Sequence, residues 1–271
     1  MKRLINRRPR RASAVVLALV PFILLVLVYL MASQARLAEN PNDKLLPSMA
    51  SFADAIHRVA AEPSRRTGEY ILWGDTAASL QRLGIGVGLA AAIALAFGLT
   101  LGLFPYARAN LSPLVKAFSL IPPLSVLPIL FIVFGLGETA KVALILFGIT
   151  PFIIRDLQQR TEELPDEQLI KAQTLGANSW QILTRVALPQ ILPRLIEAVR
   201  LGLGPAWLFL IAAEAIAAEQ GLGYRIFLVR RYLAMDVILP YVAWITVLAF
   251  LIDFALRQLR VRLFRWSVTA S

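Results

Sequence analysis

Long apolar runs, separated by short polar segments, constrain this chain more than any other feature of its sequence. The first run covers residues 14–31, and later runs begin near Ser79, Leu195 and Val237. Each approaches the roughly 20 residues that an α-helix needs to cross a bilayer. A bilayer interior offers no water to unpaired backbone groups, so apolar runs that cross it as single segments are helical. The sequence therefore predicts an all-α, polytopic membrane protein.

The composition supports this class and excludes others. Hydrophobic residues make up 58% of the 271 residues and charged residues only 17%, which is too apolar for a soluble domain. The net charge of +11 suggests nucleic acid, but six of the 28 Lys and Arg residues lie in the first eleven positions and four more lie within 257–265. Basic clusters beside apolar runs are typical of membrane flanks, so no nucleic-acid partner is expected.

We predict six membrane-spanning helices. Their approximate bounds are 14–31, 79–104, 111–136 after a turn at 105–110, 139–154, 195–218 and 237–256. Lys141 shortens the uncharged part of the fourth helix, which alternation across the membrane nevertheless requires. A cleaved signal peptide is the alternative for 14–31, but that run exceeds the usual apolar core of 7–15 residues and is followed by a poor cleavage site.

The basic N-terminus predicts a cytoplasmic start for the chain, and six crossings return the C-terminus to the same side. Residues 32–75 are then expected outside the membrane, where an amphipathic helix is predicted. Its apolar face consists of Met49, Phe52, Ile56 and Val59. His57 falls on the polar side of that helix. Since it is the only histidine and there is no cysteine, neither a metal site nor a cofactor is expected.

Small residues in the second span indicate close helix packing. Gly84 and Gly88, and again Gly98 and Gly102, follow the GxxxG spacing that lets helix backbones approach in a membrane.

Prolines interrupt the third span. Pro122, Pro123 and Pro128 lie within an apolar stretch, where proline removes a backbone hydrogen bond and breaks a helix. Pro122 and Pro123 are candidate residues of a translocation pathway, and a simple packing kink is the equal alternative.

Three acidic residues of the fifth and sixth spans need an explanation. Glu214 is surrounded by apolar residues, which marks it as a candidate pathway residue, with a location at the outer membrane interface as the alternative. Asp253 is expected to pair with Arg257 at the i,i+4 spacing, and Glu197 is expected to pair with Arg200.

A polar segment of 24 residues at 170–193, IKAQTLGANSWQILTRVALPQILP, separates two apolar runs. Apolar residues recur at helical spacing on both sides of Gly176. They are Ala172 and Leu175 before it, and Trp180, Ile182, Leu183 and Val186 after it. This pattern predicts two short helices joined at Gly176, which tolerates a positive φ, with Leu188 and Pro189 ending the second helix.

This segment resembles the EAA loop of ATP-binding-cassette (ABC) importer permeases in Ala172, Gly176 and the pair Leu188-Pro189. Ile170 and Lys171 stand where that family usually has Glu and Ala, so the role of the family's Glu does not carry over, and the acidic residues at 166–167 are the nearest substitutes. A solvated hairpin without a partner is the alternative. The resemblance extends to IPPLSVLPILFIVFGLG and AEAIAAEQGLGY, and the chain looks most like permeases of the nitrate, sulfonate, taurine and bicarbonate branch.

The resemblance implies a type I ABC importer permease fold with three regions. These are an N-terminal region at 1–76, a permease core at 77–258 with a coupling loop at about 158–193, and a basic C-terminal tail at 259–271. It also implies which residues dock the loop on the ATPase. They are Ala172, Leu175, Gly176, Ala177, Asn178, Trp180, Leu188 and Pro189. The implied partners are a second permease copy, two cytoplasmic ATPase subunits and a periplasmic solute-binding protein, in a bacterial inner membrane.

The sequence contains neither a GxxxxGK[ST] phosphate loop nor a GxSxG or HExxH motif, so no catalytic residue is expected and the chain is not an enzyme. ATP hydrolysis would belong to a partner. The expected function is a permease subunit for a small polar solute such as nitrate, a sulfonate or taurine, with urea- or guanidine-related solutes as the alternative. An ion-coupled secondary transporter that uses Glu214 as its carrier is the hypothesis from another class.

Overall fold

Helices make up most of the chain in the computed structural model, which describes residues 11–41, 43–64 and 68–268. The N-terminal basic residues from Lys2 to Arg10 lie outside the described residues. The long helices are α1 (Arg11–Glu39), α3 (Ile71–Leu103), α4 (Pro105–Leu120), α6 (Glu138–Glu162), α9 (Leu188–Ala217) and α11 (Met235–Leu263). The shorter ones are α2 (Met49–Ala60), α5 (Pro123–Phe134), α7 (Asp166–Thr174), α8 (Ser179–Gln181), α10 (Leu222–Arg230) and α12 (Arg265–Val268), with a π-helical segment at Ile182–Ala187.

Helices α3 and α6 form the centre of the bundle and run parallel. Gly98 faces Leu157 and Gly102 faces Thr161, so successive turns of one helix meet successive turns of the other in the same order. We call the end of the bundle that carries α7 and α8 the loop end, and the end that carries α2 and α10 the far end. Because α3 and α6 point in the same direction, the chain must cross back to the far end between them. The pair α4–α5 makes this crossing.

The remaining long helices complete an alternating bundle. Gly202 of α9 approaches Ile153 of α6, whereas Phe209 approaches Gly148, so α9 is antiparallel to α6. By length and composition, four helices of the described chain qualify as membrane spans, and five if the bent pair α4–α5 counts as one. Helix α6 is not among these candidates, but it is buried in the centre of the bundle. The predicted all-α fold with about six spanning helices is confirmed.

A stripe of small residues explains how closely α3 and α6 pack. Gly86, Ala90, Ala94, Gly98 and Gly102 recur every four residues, and all are buried. A Cβ atom at Gly98 would lie 2.5 Å from the Leu157 Cβ, and one at Gly102 would lie 2.3 Å from the Thr161 Cβ. The predicted Gly98–Gly102 packing is therefore present.

The prediction for the other glycine pair was wrong. Among the described residues, no atom lies within 4 Å of a Cβ atom built at Gly84 or Gly88, because these glycines lie on another side of α3 from the stripe. Gly86, between them, makes the contact with α6.

Several boundaries also differ from the sequence prediction. Residues 105–110 are the first turns of α4 rather than a turn, because Pro105 occupies the first helical position, where its missing N–H is tolerated. Helix α3 begins at Ile71, so it includes residues 71–75, which the sequence analysis assigned to the segment outside the membrane. Helix α10 was not predicted.

The prolines of the third span act differently from one another. The axes of α4 and α5 meet at 97°, with the break at residues 121–122. Pro122 precedes α5 and Pro123 is its first residue, so these two prolines accompany the predicted break. Pro128 lies inside α5 and does not end it.

At the far end, α1 is hydrogen-bonded to the segment that connects it to α2. The Ser33 hydroxyl donates to the Leu46 carbonyl at 2.9 Å, and the Tyr29 hydroxyl donates to the Pro47 carbonyl at 2.7 Å. Helix α2 has the predicted position, with Ser48 as its N-cap. His57 is exposed on α2 and lies 3.2 Å from Glu62, which agrees with a surface histidine.

Other ion pairs replace the two predicted local pairs at the loop end. Asp253 of α11 accepts two hydrogen bonds from Arg200 of α9, at 2.7 and 2.8 Å, rather than pairing with Arg257. Glu197 pairs with Arg194 and with Arg260, not with Arg200. Because α9 and α11 lie side by side, a planar guanidinium reaches a carboxylate on the neighbouring helix and binds both of its oxygens.

Candidate functional site

The polar segment after α6 contains the two predicted helices joined at Gly176, although only the first of them, α7, is short. Helix α7 starts after Pro165, and its first turn contains Asp166 and Glu167. Negative charge at a helix N-terminus is stabilised by the helix dipole. Both side chains are exposed, so they remain accessible at the surface of the loop end.

Gly176 makes the turn that ends α7, with φ at +83°. The Ala177 N–H donates to the Ala172 carbonyl at 3.0 Å, and the Gly176 N–H donates to the Gln173 carbonyl at 2.9 Å. This pair of hydrogen bonds is the Schellman arrangement, in which glycine supplies the left-handed residue. A Cβ atom at Gly176 would meet no atom within 4 Å in the part of the chain that the structure describes, so the constraint on this position is the backbone angle.

Asn178 starts the next helix directly after the turn. Its side chain accepts a hydrogen bond from the Gln181 N–H at 2.9 Å, and the Gln181 side chain accepts one from the Asn178 N–H at 2.9 Å. This reciprocal capping box fixes the start of α8. The turn between α7 and α8 is therefore held by hydrogen bonds on both sides and is a rigid element.

The turn presents two large apolar side chains to the exterior. Leu175 is 89% exposed and Trp180 is 70% exposed, whereas Ala172 and Ala177 are half-buried. We call Leu175, Gly176 and Trp180 the loop tip. Exposed apolar groups on a polar loop are typical of an interaction site.

Helix α7 is also tethered to the long helix that follows the loop. The Gln190 side chain donates to the Gln168 Oε1 at 3.0 Å and to the Val186 carbonyl at 2.9 Å. A force on the loop tip would therefore reach α9 through α7 as well as through α8.

The prediction that Leu188 and Pro189 end the second helix was wrong. The helix continues without a break from Ser179 to Ala217, through the π-helical segment. In that segment the Leu188 N–H donates to the Leu183 carbonyl, five residues back. Pro189 follows directly after this wider turn, so its missing N–H falls where the hydrogen bonding changes from the π-helical to the α-helical pattern. Leu188 is half-buried and Pro189 is exposed, so of this pair only Pro189 is accessible to a partner.

At the other end of α9 lies Glu214, which is completely buried. Its carboxylate accepts hydrogen bonds from the Ser79 hydroxyl at 2.8 and 3.0 Å, from Arg82 Nη1 at 2.7 Å and from the Gly223 N–H at 2.8 Å. A buried carboxylate needs such compensation, because its transfer from water is otherwise very unfavourable. Glu214 therefore connects α9 to α3 and to the start of α10.

Asp75 makes a second buried anchor beside it. It accepts hydrogen bonds from the Gly221 N–H at 3.0 Å, from Arg225 Nε at 2.8 Å and from the Tyr241 hydroxyl at 3.1 Å. The Leu222 N–H donates to the Ser79 hydroxyl at 2.8 Å. Asp75, Ser79 and Glu214 thus accept hydrogen bonds from the three backbone N–H groups of 221–223 at the start of α10, which have no partner within the helix.

The glycines of the AEQGLGY motif permit this close approach. A Cβ atom at Gly221 would lie 2.5 Å from the Glu214 carboxyl carbon, and Gly221 has a φ of +135°. A Cβ atom at Gly223 would lie 2.8 Å from the Ile211 carbonyl oxygen. The backbone of 221–223 therefore lies directly against the buried carboxylates.

The structure does not bring together all the predicted pathway residues. Glu214 shares Arg82 with Glu138 at the far end. Pro122 and Pro123 lie near Ser119, which accepts a hydrogen bond from Arg155. At 1.5 Å per residue along α6, Arg155 is roughly 25 Å from Glu138.

Sequence reasoning missed the partners of Glu214, which are Ser79 and Arg82, and the whole of the Asp75 cluster. A signal was present, because Arg82 and Glu214 are opposite charges in two apolar runs. Their pairing depends on the three-dimensional arrangement of α3 and α9, which a single sequence does not specify.

Comparisons with known proteins agree with this architecture. Residues 71–265 match the model of the family described as binding-protein-dependent transport system inner membrane component. The taurine transport system permease protein TauC of Escherichia coli K12 is 37% identical over 195 residues, which cover 72% of this chain and 71% of that protein. The aliphatic sulfonates transport permease protein SsuC of the same organism, whose assignment is putative, is 28% identical over 83% of this chain and 82% of its own length.

Two further comparisons concern nitrate and a solved structure. The nitrate import permease protein NrtB of Synechococcus elongatus is 29% identical over 147 residues, which cover 54% of this chain and 52% of that protein. An inward-facing structure of the MetNI methionine ABC transporter contains a chain that superposes with a TM-score of 0.61 and 24% identity. The superposition covers 70% of this chain and 94% of that one, and it shows that the two share a fold.

Proposed function

This chain belongs to the family of inner membrane components of binding-protein-dependent transport systems, and from that premise we propose that it is the permease subunit of an ABC importer for a small polar solute with a strongly acidic group. Relatives named for taurine, for aliphatic sulfonates and for nitrate support this solute class. The proposed permease core is 77–258.

The loop tip is the observation that carries the proposal. Leu175 and Trp180 are exposed apolar side chains on a rigid turn, in a polar segment that contacts α9. A cleft on an ATPase subunit that receives this tip would bury both side chains and gain roughly 25 cal/mol per Å² of apolar surface removed from water. ATP hydrolysis then belongs to that partner, since the sequence has no phosphate loop.

The helix that follows the tip supports transmission of the ATPase movement. The rod from Ser179 to Ala217 joins the tip to Glu214, where it is fixed to α3 and α10. A displacement at the tip would therefore move the far end of the bundle. In this proposal, two such chains pair around the pathway, and closure of two ATPase subunits alternates its access.

The basic clusters support the orientation. Arginine and lysine are enriched on the cytoplasmic side of membrane proteins, and they flank both the first and the last apolar run. We therefore place both termini and the loop end in the cytoplasm. The far end then faces a solute-binding protein outside.

The geometry of Glu214 argues against the ion-coupled alternative. A carrier carboxylate must be reached from each side of the membrane in turn, whereas Glu214 is fully buried and paired with Arg82 at 2.7 Å. The family membership favours the ATP-driven system in the same way.

Reconstitution in proteoliposomes tests the proposal. The chain is combined with its ATPase subunit and its solute-binding protein, and uptake of labelled taurine is measured with ATP or a non-hydrolysable analogue inside. We expect uptake only with ATP and with both partners. Uptake that persists without the ATPase and is abolished by a protonophore would establish the secondary transporter, and uptake of urea but not taurine would overturn the proposed solute class.

A further inference from the structure

Two buried cations and one buried carboxylate lie close together at the far end. Arg82 of α3 and Lys141 of α6 have side chains that are only 8% and 4% exposed. Glu214, the buried anion that contacts Arg82, is 0% exposed. These three side chains together carry one excess positive charge.

Glu138 supplies the negative charge that balances this excess. Arg82 donates to its carboxylate from Nε at 2.5 Å and from Nη2 at 2.9 Å, and Lys141 donates from Nζ at 2.8 Å. The Glu138 side chain is 63% exposed, unlike the two cations that it bridges. It therefore covers them from the solvent side, from which it can rotate away.

An open cavity lies on that solvent side. It has a volume of about 770 Å³, and its walls include Arg82, Glu138, Lys141 and residues 216–220, which run from the end of α9 into the turn before α10 and include the exposed Glu219. A small organic anion occupies only a fraction of such a volume. The cavity thus gives a solute access to the side of Arg82 and Lys141 that Glu138 now covers.

Departure of Glu138 would leave an uncompensated positive charge among buried groups, which is strongly unfavourable. An anion that takes the place of its carboxylate removes this penalty. A neutral molecule of the same shape does not. The arrangement therefore selects for negative charge rather than for size alone.

We propose that Arg82 and Lys141 form a binding site for the acidic group of the transported solute, and that the Glu138 carboxylate occupies this site until the solute displaces it. This inference rests on the proposed function and names the part of the solute that the permease recognises. A sulfonate presents three oxygens, of which two accept from the planar guanidinium fork of Arg82 and one accepts from the Lys141 ammonium. Because the solute must displace the Glu138 carboxylate, its affinity for the site stays low. A low affinity allows the solute to be released in the next step of transport.

Binding of methanesulfonate to the purified permease in detergent tests the site directly. The thermal unfolding midpoint is measured against methanesulfonate concentration at constant ionic strength, with gluconate as the replaced anion. Dimethyl sulfone, a neutral molecule of nearly the same shape, is the control ligand. In the natural chain we expect a midpoint that rises only at high methanesulfonate concentration, because Glu138 competes for the site.

Glu138→Gln removes the competing charge but preserves the shape of the side chain. We expect its half-saturating methanesulfonate concentration to fall at least about tenfold, with no response to dimethyl sulfone. Should this variant be unstable alone, methanesulfonate and not dimethyl sulfone should restore its unfolding midpoint. The double variant Glu138→Gln/Lys141→Gln restores the charge balance between Arg82 and Glu214, and we expect it to lose the response to methanesulfonate.

Equal responses of the single and double variants, or equal responses to methanesulfonate and dimethyl sulfone, would overturn the site. Because this measurement needs neither ATPase nor transport, its outcome is distinguishable from that of the proposed function. Import of taurine without a charge-specific response would refute the site alone. A charge-specific response without any ATP-driven import would refute the importer alone.

Discussion

Glu214 joins three helices through one buried carboxylate, and its partners lie on α3 and at the start of α10. The charge of Arg82 and the N–H group of Gly223 are both directed at it. Loss of the negative charge at this position is therefore expected to destabilise the folded protein, because Arg82 would remain buried with less compensation of its charge.

We predict that Glu214→Gln lowers the free energy of unfolding by roughly 3–5 kcal/mol, the range for removing one partner of a buried ion pair. Chemical unfolding of the purified permease in detergent measures this change. Glu219→Gln is the matched control, since Glu219 is exposed and five residues away on the same segment. We expect the control to change stability by less than about 0.5 kcal/mol.

The pathway role of Glu214 stays a prediction, and uptake by the same variant tests it. A stable Glu214→Gln protein with altered taurine uptake would support a role in the pathway. A variant with natural stability and natural uptake would contradict both the anchor and the pathway role.

At the scale of helices, the contact between α3 and α6 depends on the small-residue stripe. We predict that Gly98→Ala destabilises the protein by about 1–3 kcal/mol, because its Cβ would lie 2.5 Å from the Leu157 Cβ and force the helices apart. Gly84→Ala adds the same methyl group to the same helix, at a position where no atom of the described residues lies within 4 Å. We expect this control to be neutral or slightly stabilising, since alanine favours helix over glycine.

Chemical unfolding of both variants in detergent provides the measurement. Equal unfolding free energies for Gly98→Ala and Gly84→Ala would show that the close approach of α3 and α6 is not a determinant of stability.

Helices were predictable where hydrophobicity alone decides them. Helix α2 and the long apolar helices followed from spacing and length, and the positive φ of Gly176 followed from the break in an apolar stripe. Sequence reasoning did not predict that α4 starts at Pro105 or that the helix from Ser179 continues past Pro189. Proline is tolerated in the first turn of a helix but disrupts the interior of a helix. A π-helical turn contains one extra residue, so it changes the hydrogen-bonding position at which a following proline falls.

The buried clusters were predictable only in part, for a different physical reason. Hydropathy marked Glu214 as unusual, but Asp75 and Arg82 sit close to the ends of an apolar run, where charged residues are ordinary. The contact between α3 and α6 determines the direction in which Asp75 and Arg82 point from α3, and the sequence alone does not reveal this contact. Ion pairs between helices, such as Arg200 with Asp253, similarly depend on packing that spacing along one helix does not reveal.

At the scale of the whole molecule, the orientation of the bundle can be tested with single cysteines, since the natural chain has none. We predict that a cysteine in Ala61→Cys reacts with a membrane-impermeant maleimide in intact cells. A cysteine in Ser179→Cys should react only after permeabilisation. Both positions are exposed in the structure, so a lack of labelling would not reflect burial in the chain. Labelling of both from the same side would contradict six crossings.

The coupling of transport to ATP hydrolysis through the loop tip is the central claim, and Gly176 offers the sharpest test of it. A β-branched residue at a φ of +83° is strained by about 1–3 kcal/mol, so Gly176→Val should distort the turn and displace Leu175 and Trp180. Asparagine tolerates positive φ far better, which makes Gly176→Asn the matched control for added bulk.

The measurement is the amount of ATPase subunit that co-purifies with each variant, together with ATP-driven uptake in proteoliposomes. We predict that Gly176→Val remains in the membrane, while its co-purifying ATPase or its uptake per ATP hydrolysed falls at least about fivefold, the factor that corresponds to 1 kcal/mol. Gly176→Asn should retain most of both. Natural co-purification together with natural coupled uptake in Gly176→Val would contradict the claim that this loop is the coupling interface.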